Sequence, residues 1–229
     1  MSPGPLRILH LDDGRLWRGG QHQVFLLLRE LKAIGVVQRL LAHEGSPLAV
    51  RARQIGIDVM SFRYRGELDL FAPGQVAEIA RRFEADVLHA HTSHAHAIAL
   101  RAVRRLPPPV RLVVTRRVDF PIRGWLSQRK YRHPRAHFIA ISNGVREALL
   151  AGGVAPERIS LVHSGVPSPD PESIVPRDAV RRELGIADDE IAIVNTGALT
   201  DHKGHRWLID AAAQVVPAVP KARFHILGD

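Results

Sequence analysis

Three short segments of the chain hold residue types that bind charged ligands. Arg15 to Gly20 contains an adjacent pair of glycines, and Asn195 to Gly204 ends on a lysine followed by a glycine. Asp86 to His91 is an apolar run that ends on a histidine. Glycines let an anion approach the free backbone amides at the start of a helix, where a lysine adds its own charge. The first and last of these segments therefore favour an anionic ligand.

The glycine pair, Gly19 and Gly20, supports two interpretations. It lies between a predicted strand and a predicted helix, where the helix dipole favours an anion. A plain tight turn without a ligand fits the pair equally well. Its spacing is not G-x-G-x-x-G, so it gives little support for a dinucleotide site.

His89, His91, His94 and His96 occur within eight residues. Ligands bind at the carboxyl ends of strands in open parallel sheets, and alternation places His89 and His91 on the same side of their strand. The strand end should leave His91 the more exposed of the two, so we expect His91 to meet a ligand. No carboxylate follows Asp86 closely, which argues against a metal site. We expect structural roles for the other three histidines.

Lys203 and Gly204 lie between another predicted strand and helix. A lysine at a helix N-terminus is a natural partner for a phosphate, because its charge adds to that of the helix dipole. The alternative is a solvated surface lysine. We take Lys203 and Gly204 as candidate phosphate-binding residues.

Short apolar runs alternate with helical patterns along the chain. One helical pattern begins at Gln21, with Val24, Leu28 and Ile34 expected on its buried face. Strands that alternate with helices predict an α/β fold, in which a mainly parallel sheet is covered on both faces. The strand candidates are Leu6 to Leu11, Val36 to Ala42, Asp58 to Phe62, Val87 to Ala90, Val110 to Thr115, His137 to Ile141, Ile159 to His163, Ile191 to Thr196 and Arg223 to Leu227.

A proline-rich segment divides the chain. Ser164 to Pro176 holds four prolines and has no apolar periodicity, which is typical of a linker between domains. We therefore predict an N-terminal domain over residues 1–165, a linker over residues 166–176 and a second domain over residues 177–229. One helix covers only one face of two strands, so we expect the second domain to be incomplete.

Composition excludes several classes of protein. The 229 residues include no cysteine, which excludes disulfides, thiolate metal sites and cysteine nucleophiles. No apolar run approaches the roughly 18 residues that span a bilayer. Asp12 and Asp13 directly follow the first apolar run, which argues against a signal peptide, and we expect a cytoplasmic protein.

The net charge of +9 is concentrated in one segment. Arg101 to Arg135 holds eleven basic residues and one acidic residue, so the rest of the chain is close to neutral. Such a segment attracts nucleic acid, anionic lipids or phosphorylated small molecules, and it is equally compatible with a solvated face. Few aromatic residues are available there for stacking on bases, so we do not expect nucleic acid as a partner.

The order and spacing of five segments resemble the retaining glycosyltransferases of family 4, which have the two-domain GT-B fold. The resemblance covers nearly the whole chain, and it implies a Rossmann-like N-terminal domain followed by a truncated second Rossmann-like domain. The five segments are the Gly19-Gly20 loop, Asp86 to His91, Phe138 to Ser142 with the helix after it, Ile159 to Val166, and Lys203-Gly204 with Leu208 to Ala211.

The resemblance implies a role for each candidate residue. Gly19 and Gly20 would lie near the donor phosphates. His91 would face the reacting sugar, and Lys203 with Gly204 would contact the diphosphate. A nucleotide-diphosphate sugar would be the co-substrate, with no cofactor. The acceptor would be lipid-linked or a cell-envelope polysaccharide, which implies peripheral contact with the anionic inner face of the plasma membrane.

Three departures from the family pattern concern the site. Ala198 stands where the family usually has an arginine that contacts the diphosphate. Arg116 and Arg117 replace a more common histidine pattern, and we expect one of them to supply positive charge to the cleft, unless it pairs with Asp119. The family's E-x7-E glutamates would lie beyond Asp229, so we expect this chain alone to be inactive.

Two other functions are compatible with the sequence. A nucleotide-sugar epimerase shares the two-domain fold, although the histidine strand and the Lys-Gly loop favour a transferase. A non-enzymatic nucleic-acid-binding domain would use the basic segment.

Overall fold

Strands and helices alternate along the chain. The computed structural model describes residues 4–63 and 69–228, apart from the side chains of residues 126 and 202. The chain forms two compact units, one up to Val166 and one from Pro167 onwards. The strands of the first unit are β1 (Arg7–Leu11), β2 (Val37–Ala42), β3 (Asp58–Ser61), β4 (Val87–Ala90), β5 (Arg111–Arg116), β6 (Ala136–Ala140) and β7 (Ile159–Leu161). Its helices are α1 (Gly19–Ala33), α2 (Pro47–Gln54), α3 (Ala72–Phe83), α4 (Ser93–Val103), α5 (Trp125–Tyr131) and α6 (Asn143–Ala151). The second unit contains α7 (Arg177–Glu183), β8 (Ile191–Thr196), α8 (His205–Ala218) and β9 (Ala222–Leu227).

The first unit is built on a seven-stranded sheet with the order β3-β2-β1-β4-β5-β6-β7. Every neighbouring pair of strands is parallel. The α/β, Rossmann-like fold predicted from the sequence is therefore confirmed. The order of the strands reverses between β1 and β4, and the carboxyl ends of the strands at such a switch point are where open α/β sheets bind ligands.

Helices cover both faces of this sheet. On one face α1 and α2 pack against β2, in a cluster that contains Val24, Leu28 and Leu40. On the other face α3, α4 and α6 enclose a larger cluster that contains Leu88 and Phe138. Burying both faces explains why the strands read as nearly continuous apolar runs in the sequence.

The end of α1 differs from the sequence-based expectation. Ile34 was expected on the buried face of this helix, and that expectation is wrong, because its side chain is 76% exposed. The helix ends at Ala33, and Gly35 turns the chain with a φ of +82°. Ile34 therefore lies at the end of the helix, next to this turn, and its side chain faces solvent.

The second unit has a small core. Its strands β8 and β9 pair in parallel, and α8 packs against β9. Among the residues that the structure describes in this unit, only Arg181, Ile186 and Ala222 are buried. Large apolar side chains such as Trp207 and Ile209 are exposed. In neither described stretch of the chain is there a helix long and apolar enough to cross a membrane.

Candidate functional site

Three polar residues directly follow three neighbouring strands of the first unit. Asp12 comes after β1, His91 after β4 and Arg117 after β5. Nη1 of Arg117 donates to the main-chain oxygen of His91 at 3.0 Å, and the charge of Asp12 acts on Arg117. The three residues therefore form one site at the carboxyl edge of the sheet, beside its switch point.

The N-terminus of α1 adjoins this site. No side chain caps its first turn, which contains Gly19 and Gly20 and no acidic residue. A Cβ atom placed on Gly20 would lie 3.8 Å from Cδ of Arg117, so the turn and the arginine are neighbours. Asp12 holds the loop before the helix, because its Oδ1 accepts from the amide of Gly14 at 2.8 Å. The uncapped first turn of α1 and the side chain of Arg117 are thus neighbours, and both are groups that attract an anion.

Arg117 carries a charge that is only partly compensated. Burial lowers the pKa of its guanidinium, and the nearby charge of Asp12 offsets part of that effect. Its Nε atom is buried and has no hydrogen-bond partner within the described chain. A half-buried cation with a buried, unused donor is stabilised by an anionic ligand that accepts from it.

Arg116, the preceding residue, has a different role. Its Nε donates to the carbonyl oxygen of Val118 at 2.8 Å, and its Nη1 donates to the hydroxyl of Tyr131 at 2.8 Å. Its Nη2 donates to the carbonyl oxygen of Phe120. Within the described residues, neither Arg116 nor Arg117 forms an ion pair with Asp119. All three guanidinium nitrogens of Arg116 therefore hold the loop after β5, whereas Arg117 keeps an unused donor.

His91 belongs to a cluster of three buried histidines. His10 on β1 lies in register with His89 on β4, and Nδ1 of His10 is 3.0 Å from Nε2 of His91. The ring centroids of His89 and His91 are 4.1 Å apart, as expected for side chains on the same side of the strand. The expectation that His91 is the more exposed is wrong, because each is 5% exposed. The ring of His91 is covered by its contacts with His10 and His89, although His91 follows the end of β4.

All three histidines are held in the neutral form. Burial lowers the pKa of His10 to about 3, against the raising effect of Gln38. Burial also places the pKa values of His89 and His91 well below the ordinary value, and the charge of Arg117 acts in the same direction. At neutral pH these side chains are therefore hydrogen-bonding groups without charge.

The cluster has the spacing of a metal site, since one ring nitrogen from each histidine lies within 4.8 Å of the others. Its surroundings favour hydrogen bonding instead. His10 is already paired with His91, and Nε2 of His89 lies 2.7 Å from Oγ1 of Thr115. The charge that acts most on His89 and His91 from outside the cluster is the cation of Arg117, which opposes a metal ion.

His94 and His96 lie apart from the cluster. Nδ1 of His94 is 2.8 Å from Oδ2 of Asp13, and its side chain is 55% exposed. His96 is fully buried, with its ring edge-on to those of Tyr131 and Phe138. Thr92 caps α4, the helix that carries both histidines, by accepting from the amide of Ala95.

The second unit holds Lys203 and Gly204 at the start of α8. Gly204 precedes the helix with a φ of +72°, a conformation that favours glycine. Lys203 is exposed, and no side chain caps the helix. The carbonyl oxygen of Ala198, at the position where an arginine was expected, accepts from Nε2 of His205 at 3.0 Å. An exposed lysine beside uncapped amides suits an anion.

The sequence was compared with models of known protein families. The sequence model of glycosyltransferase family 4 matches residues 17–168. The chain belongs to this family. No curated protein matches the sequence.

Solved structures share the fold of this family 4 chain. Anabaena Alr3699/HepE in complex with UDP and glucose has a TM-score of 0.75 at 20% identity, over 98% of this chain and 61% of its own. A Rickettsia africae glycosyltransferase has a TM-score of 0.80 at 17% identity, over 99% of this chain and 61% of its own. The lipopolysaccharide outer core galactosyltransferase WaaB has a TM-score of 0.62 at 10% identity, over 98% and 69%. The family 4 chain therefore has the GT-B type of fold and spans 61% of the first two structures.

The site of this family 4 chain contains residues that the sequence alone did not select. The structure brings Gly19, Gly20, His91 and Arg117 together at one edge of the first unit, as the hydrogen bond from Arg117 and the position of Gly20 demonstrate. His10 was missed, although it has the same place on β1 as His89 has on β4. In the sequence His10 is a histidine within an apolar run. That pattern indicates a site residue only once β4 is known to be the neighbouring strand.

Proposed function

We propose that this family 4 glycosyltransferase chain binds a nucleotide-diphosphate sugar at the carboxyl edge of β1, β4 and β5. The complete enzyme then moves the sugar to an acceptor hydroxyl with retention of anomeric configuration. The observation that carries the proposal is Arg117, a guanidinium with an unused, buried Nε donor beside the uncapped first turn of α1. A phosphate oxygen is the ligand atom that satisfies both groups.

The proposed site would speed transfer by stabilising the negative charge that develops on the leaving diphosphate. The leaving diphosphate gains charge as the glycosidic bond breaks, so fixed positive groups stabilise the transition state more than the ground state. Arg117 and the amides of Gly19 and Gly20 supply such groups in the first unit. Lys203 and the amides that follow Gly204 supply a further anion site in the second unit. No cofactor is required for this step.

His91 contributes a neutral ring to the site. Burial keeps its pKa well below the ordinary value, so the ring does not add charge beside the diphosphate. A neutral imidazole recognises a hydroxyl group through one hydrogen bond. We place the reacting sugar, rather than the diphosphate, against His91.

The relatives favour a role in the cell envelope. One matched structure holds UDP and glucose, and another is a galactosyltransferase of the lipopolysaccharide outer core. For this chain the same class of reaction implies a lipid-linked or polysaccharide acceptor. It also implies a cytoplasmic enzyme that approaches the anionic inner face of the plasma membrane.

Several arginines of the basic segment, Arg101 to Arg135, form hydrogen bonds within the protein. Nη1 of Arg135 donates to the carbonyl oxygens of Val103 and Leu106, and Nη2 donates to that of Pro107. Arg116 likewise donates to Val118, Tyr131 and Phe120 within the first unit. Internal use of these arginines weighs against a nucleic-acid-binding function. The family match weighs against an epimerase, because the matched family is one of glycosyl transfer.

Nucleotide-sugar binding and transfer test the proposal directly. In the complete gene product, Arg117→Met should weaken UDP-glucose binding by about 10- to 100-fold in calorimetry, which corresponds to a charged hydrogen bond of about 1.5 to 3 kcal/mol. Arg123→Met is the matched control, because Arg123 is exposed in the same segment. Equal affinity of the Arg117 variant and the wild type would place the diphosphate elsewhere. NMR of the glycosylated product would report its anomeric configuration.

A further inference from the structure

Three large apolar side chains are exposed in and directly after the β5–α5 loop, which covers residues 117–124. Phe120 is 69% exposed, Trp125 at the start of α5 is 67% exposed, and Val118 is 49% exposed. The loop lies at the carboxyl edge of the sheet, because it directly follows the last residue of β5. Apolar side chains that are exposed together mark a surface that meets another molecule or a membrane.

The backbone of the β5–α5 loop is held from its inner side by Arg116. The buried guanidinium of Arg116 donates to the carbonyl oxygen of Val118 at 2.8 Å and to that of Phe120. Two main-chain oxygens of the loop are thus fixed, while the side chains of Val118 and Phe120 remain exposed. The apolar side chains are therefore presented by an ordered loop.

The loop also packs along α6. A Cβ atom on Gly152, at the end of α6, would lie 2.5 Å from Cδ1 of Ile122, so Ile122 occupies the space that the glycine leaves. At the start of the same helix, a Cβ atom on Gly144 would lie 3.8 Å from Oδ2 of Asp119. A carboxylate in this place is stabilised by the dipole of α6. Asp119 and Ile122 thus face the protein, and Phe120 between them does not.

The charges that flank the exposed aromatic side chains are positive. Arg123 and Arg129 are exposed on either side of Trp125 along the chain. Residues 101–135 contain one acidic residue, Asp119, which lies beside the first turn of α6. Aromatic side chains prefer the interface of water and lipid, and arginine is attracted to anionic head groups. An anionic bilayer offers both an apolar interior and negative charge, so it matches this surface in both respects.

We propose that the β5–α5 loop inserts Phe120 and Trp125 into the interface of an anionic bilayer, with Arg123 and Arg129 on the lipid head groups. Insertion of apolar side chains adds to the electrostatic attraction of the basic segment, and it turns the carboxyl edge of the sheet towards the lipid. Phe120 follows Arg117 by three residues, a span of at most about 10 Å. The consequence for the acceptor rests on the proposed function. A donor site so close to the bilayer reaches a lipid-linked acceptor rather than a free polysaccharide.

Tryptophan fluorescence with brominated lipids tests insertion directly. The sequence has three tryptophans, at positions 17, 125 and 207. Two variants of the 229-residue chain each keep one exposed tryptophan. Trp17→Phe with Trp207→Phe keeps Trp125, and Trp17→Phe with Trp125→Phe keeps Trp207, which is 72% exposed in the second unit. Trp207 is therefore the matched control.

Both variants are mixed with phosphatidylglycerol vesicles whose acyl chains carry bromine. We expect the bromine to quench Trp125 and to leave Trp207 unquenched. An unquenched Trp125 in vesicle-bound protein would overturn the proposal, and so would a protein that does not bind the vesicles. Equal quenching of the two tryptophans would show that any exposed aromatic side chain adheres to lipid, which also overturns it.

Substitution of the apolar side chains separates insertion from attraction between charges. Phe120→Ser with Trp125→Ser keeps every arginine, and it should weaken partitioning into phosphatidylglycerol vesicles at about 0.5 M salt by about 10-fold or more, because apolar burial persists where charges are screened. Ile34→Ser is the matched control. Ile34 is 76% exposed where α1 ends and β2 is about to begin, at the amino edge of the sheet, so its substitution should leave partitioning unchanged. An equal loss in both variants, or no loss in the first, would contradict insertion by the loop.

Sedimentation velocity and calorimetry distinguish the remaining outcomes. We expect a monomer, and a dimer that dissociates in Phe120→Ser with Trp125→Ser would assign the surface to a second copy of the chain and overturn the lipid contact. UDP-glucose binding by the complete gene product is measured without vesicles. If UDP-glucose does not bind while Trp125 is quenched, the proposed function fails and the lipid contact stands. If UDP-glucose binds while Trp125 is not quenched, the lipid contact fails alone.

Discussion

Nη1 of Arg117 donates to the main-chain oxygen of His91 across 3.0 Å, which fixes the residue after β5 to the residue after β4. The side chain of Arg117 also passes beside Gly20 in the first turn of α1, where a Cβ atom on the glycine would lie 3.8 Å from Cδ of the arginine. Three elements that are far apart in sequence are thereby held in one arrangement before any ligand arrives. Groups that are already in place need no reorganisation when charge develops on a ligand.

His91→Ala should reduce sugar transfer by the complete enzyme by more than 10-fold, because it removes the ring that we propose to face the sugar. It should also lower the free energy of unfolding by about 1 to 3 kcal/mol, since Nδ1 of His10 loses its partner. Transfer kinetics and urea unfolding measure the two effects. His94→Ala is the control, because its exposed pair with Asp13 contributes little to stability. Normal turnover by a folded His91→Ala enzyme would remove His91 from the site.

Lys203→Ala should weaken nucleotide-sugar binding and turnover together, by about 10- to 100-fold, because it removes the charge that we propose to pair with the diphosphate. The fold should be unaffected, since Lys203 is exposed before α8. Lys221→Ala is the matched control in the same unit, where Lys221 pairs with Asp189 at 2.9 Å. If both variants have wild-type kinetics, Lys203 does not contact the diphosphate.

Acid should destabilise the protein well above the pH at which its carboxylates titrate. Burial lowers the pKa values of His10, His89, His91 and His96, so the unfolded chain binds more protons than the folded protein below about pH 6.5. Stability should therefore fall as the pH drops below about 6.5, by up to about 1.4 kcal/mol per pH unit for each histidine that stays neutral in the folded protein. Urea unfolding at pH 7.5, 6 and 5 measures this slope.

Two variants separate this effect from general acid denaturation. His96→Phe removes one buried titrating group from an aromatic pocket, and it should reduce the slope by about 1.4 kcal/mol per pH unit. Gln23→Met removes no titratable group, so it is the control and should leave the slope as it is. A slope that does not change in His96→Phe would contradict the assignment to buried histidines.

Anionic vesicles should bind the protein more tightly than neutral vesicles do. Six arginines between positions 101 and 135 are exposed, and each contributes about 1 kcal/mol near an anionic surface at low salt. Phe120 and Trp125 are exposed in the same segment. Arg123→Ala with Arg129→Ala should reduce flotation with phosphatidylglycerol vesicles, while Arg29→Ala with Arg146→Ala should not. Equal flotation with neutral and anionic vesicles would argue against membrane contact.

Limited proteolysis of the 229-residue chain should cut between Ser164 and Pro176. Residues in this range are exposed, and its regular structure is a short 3-10 turn at Pro171–Ser173. The first unit should survive as a resistant fragment because helices cover both faces of its sheet, whereas the second unit exposes large apolar side chains such as Trp207. Proteinase K followed by mass spectrometry identifies the cut. A first cut inside α1 to α6 would contradict this order of stability.

Local patterns in the sequence determined most of the secondary structure. The predicted strands Val87 to Ala90 and Ile191 to Thr196 agree with β4 and β8 residue for residue. Apolar runs between turn residues carry this information because it depends on neighbours in the chain. For the same reason the sequence located the glycines at the start of α1 and the glycine before α8. The alternation of strands and helices then determined the α/β class and the parallel sheet.

The tertiary structure alone decided which polar residues meet. His10 joins His91 because β1 and β4 are neighbours at the switch point, and the order of strands depends on long-range packing. Arg116 and Arg117 are adjacent and chemically identical, yet packing of Tyr131 beside Arg116 commits that side chain to the loop and leaves a donor of Arg117 free. Burial of His91 likewise depends on its contacts with His10 on the neighbouring strand and with His89. Hydrogen bonds and desolvation depend on distances across the fold, which periodicity along one chain does not encode.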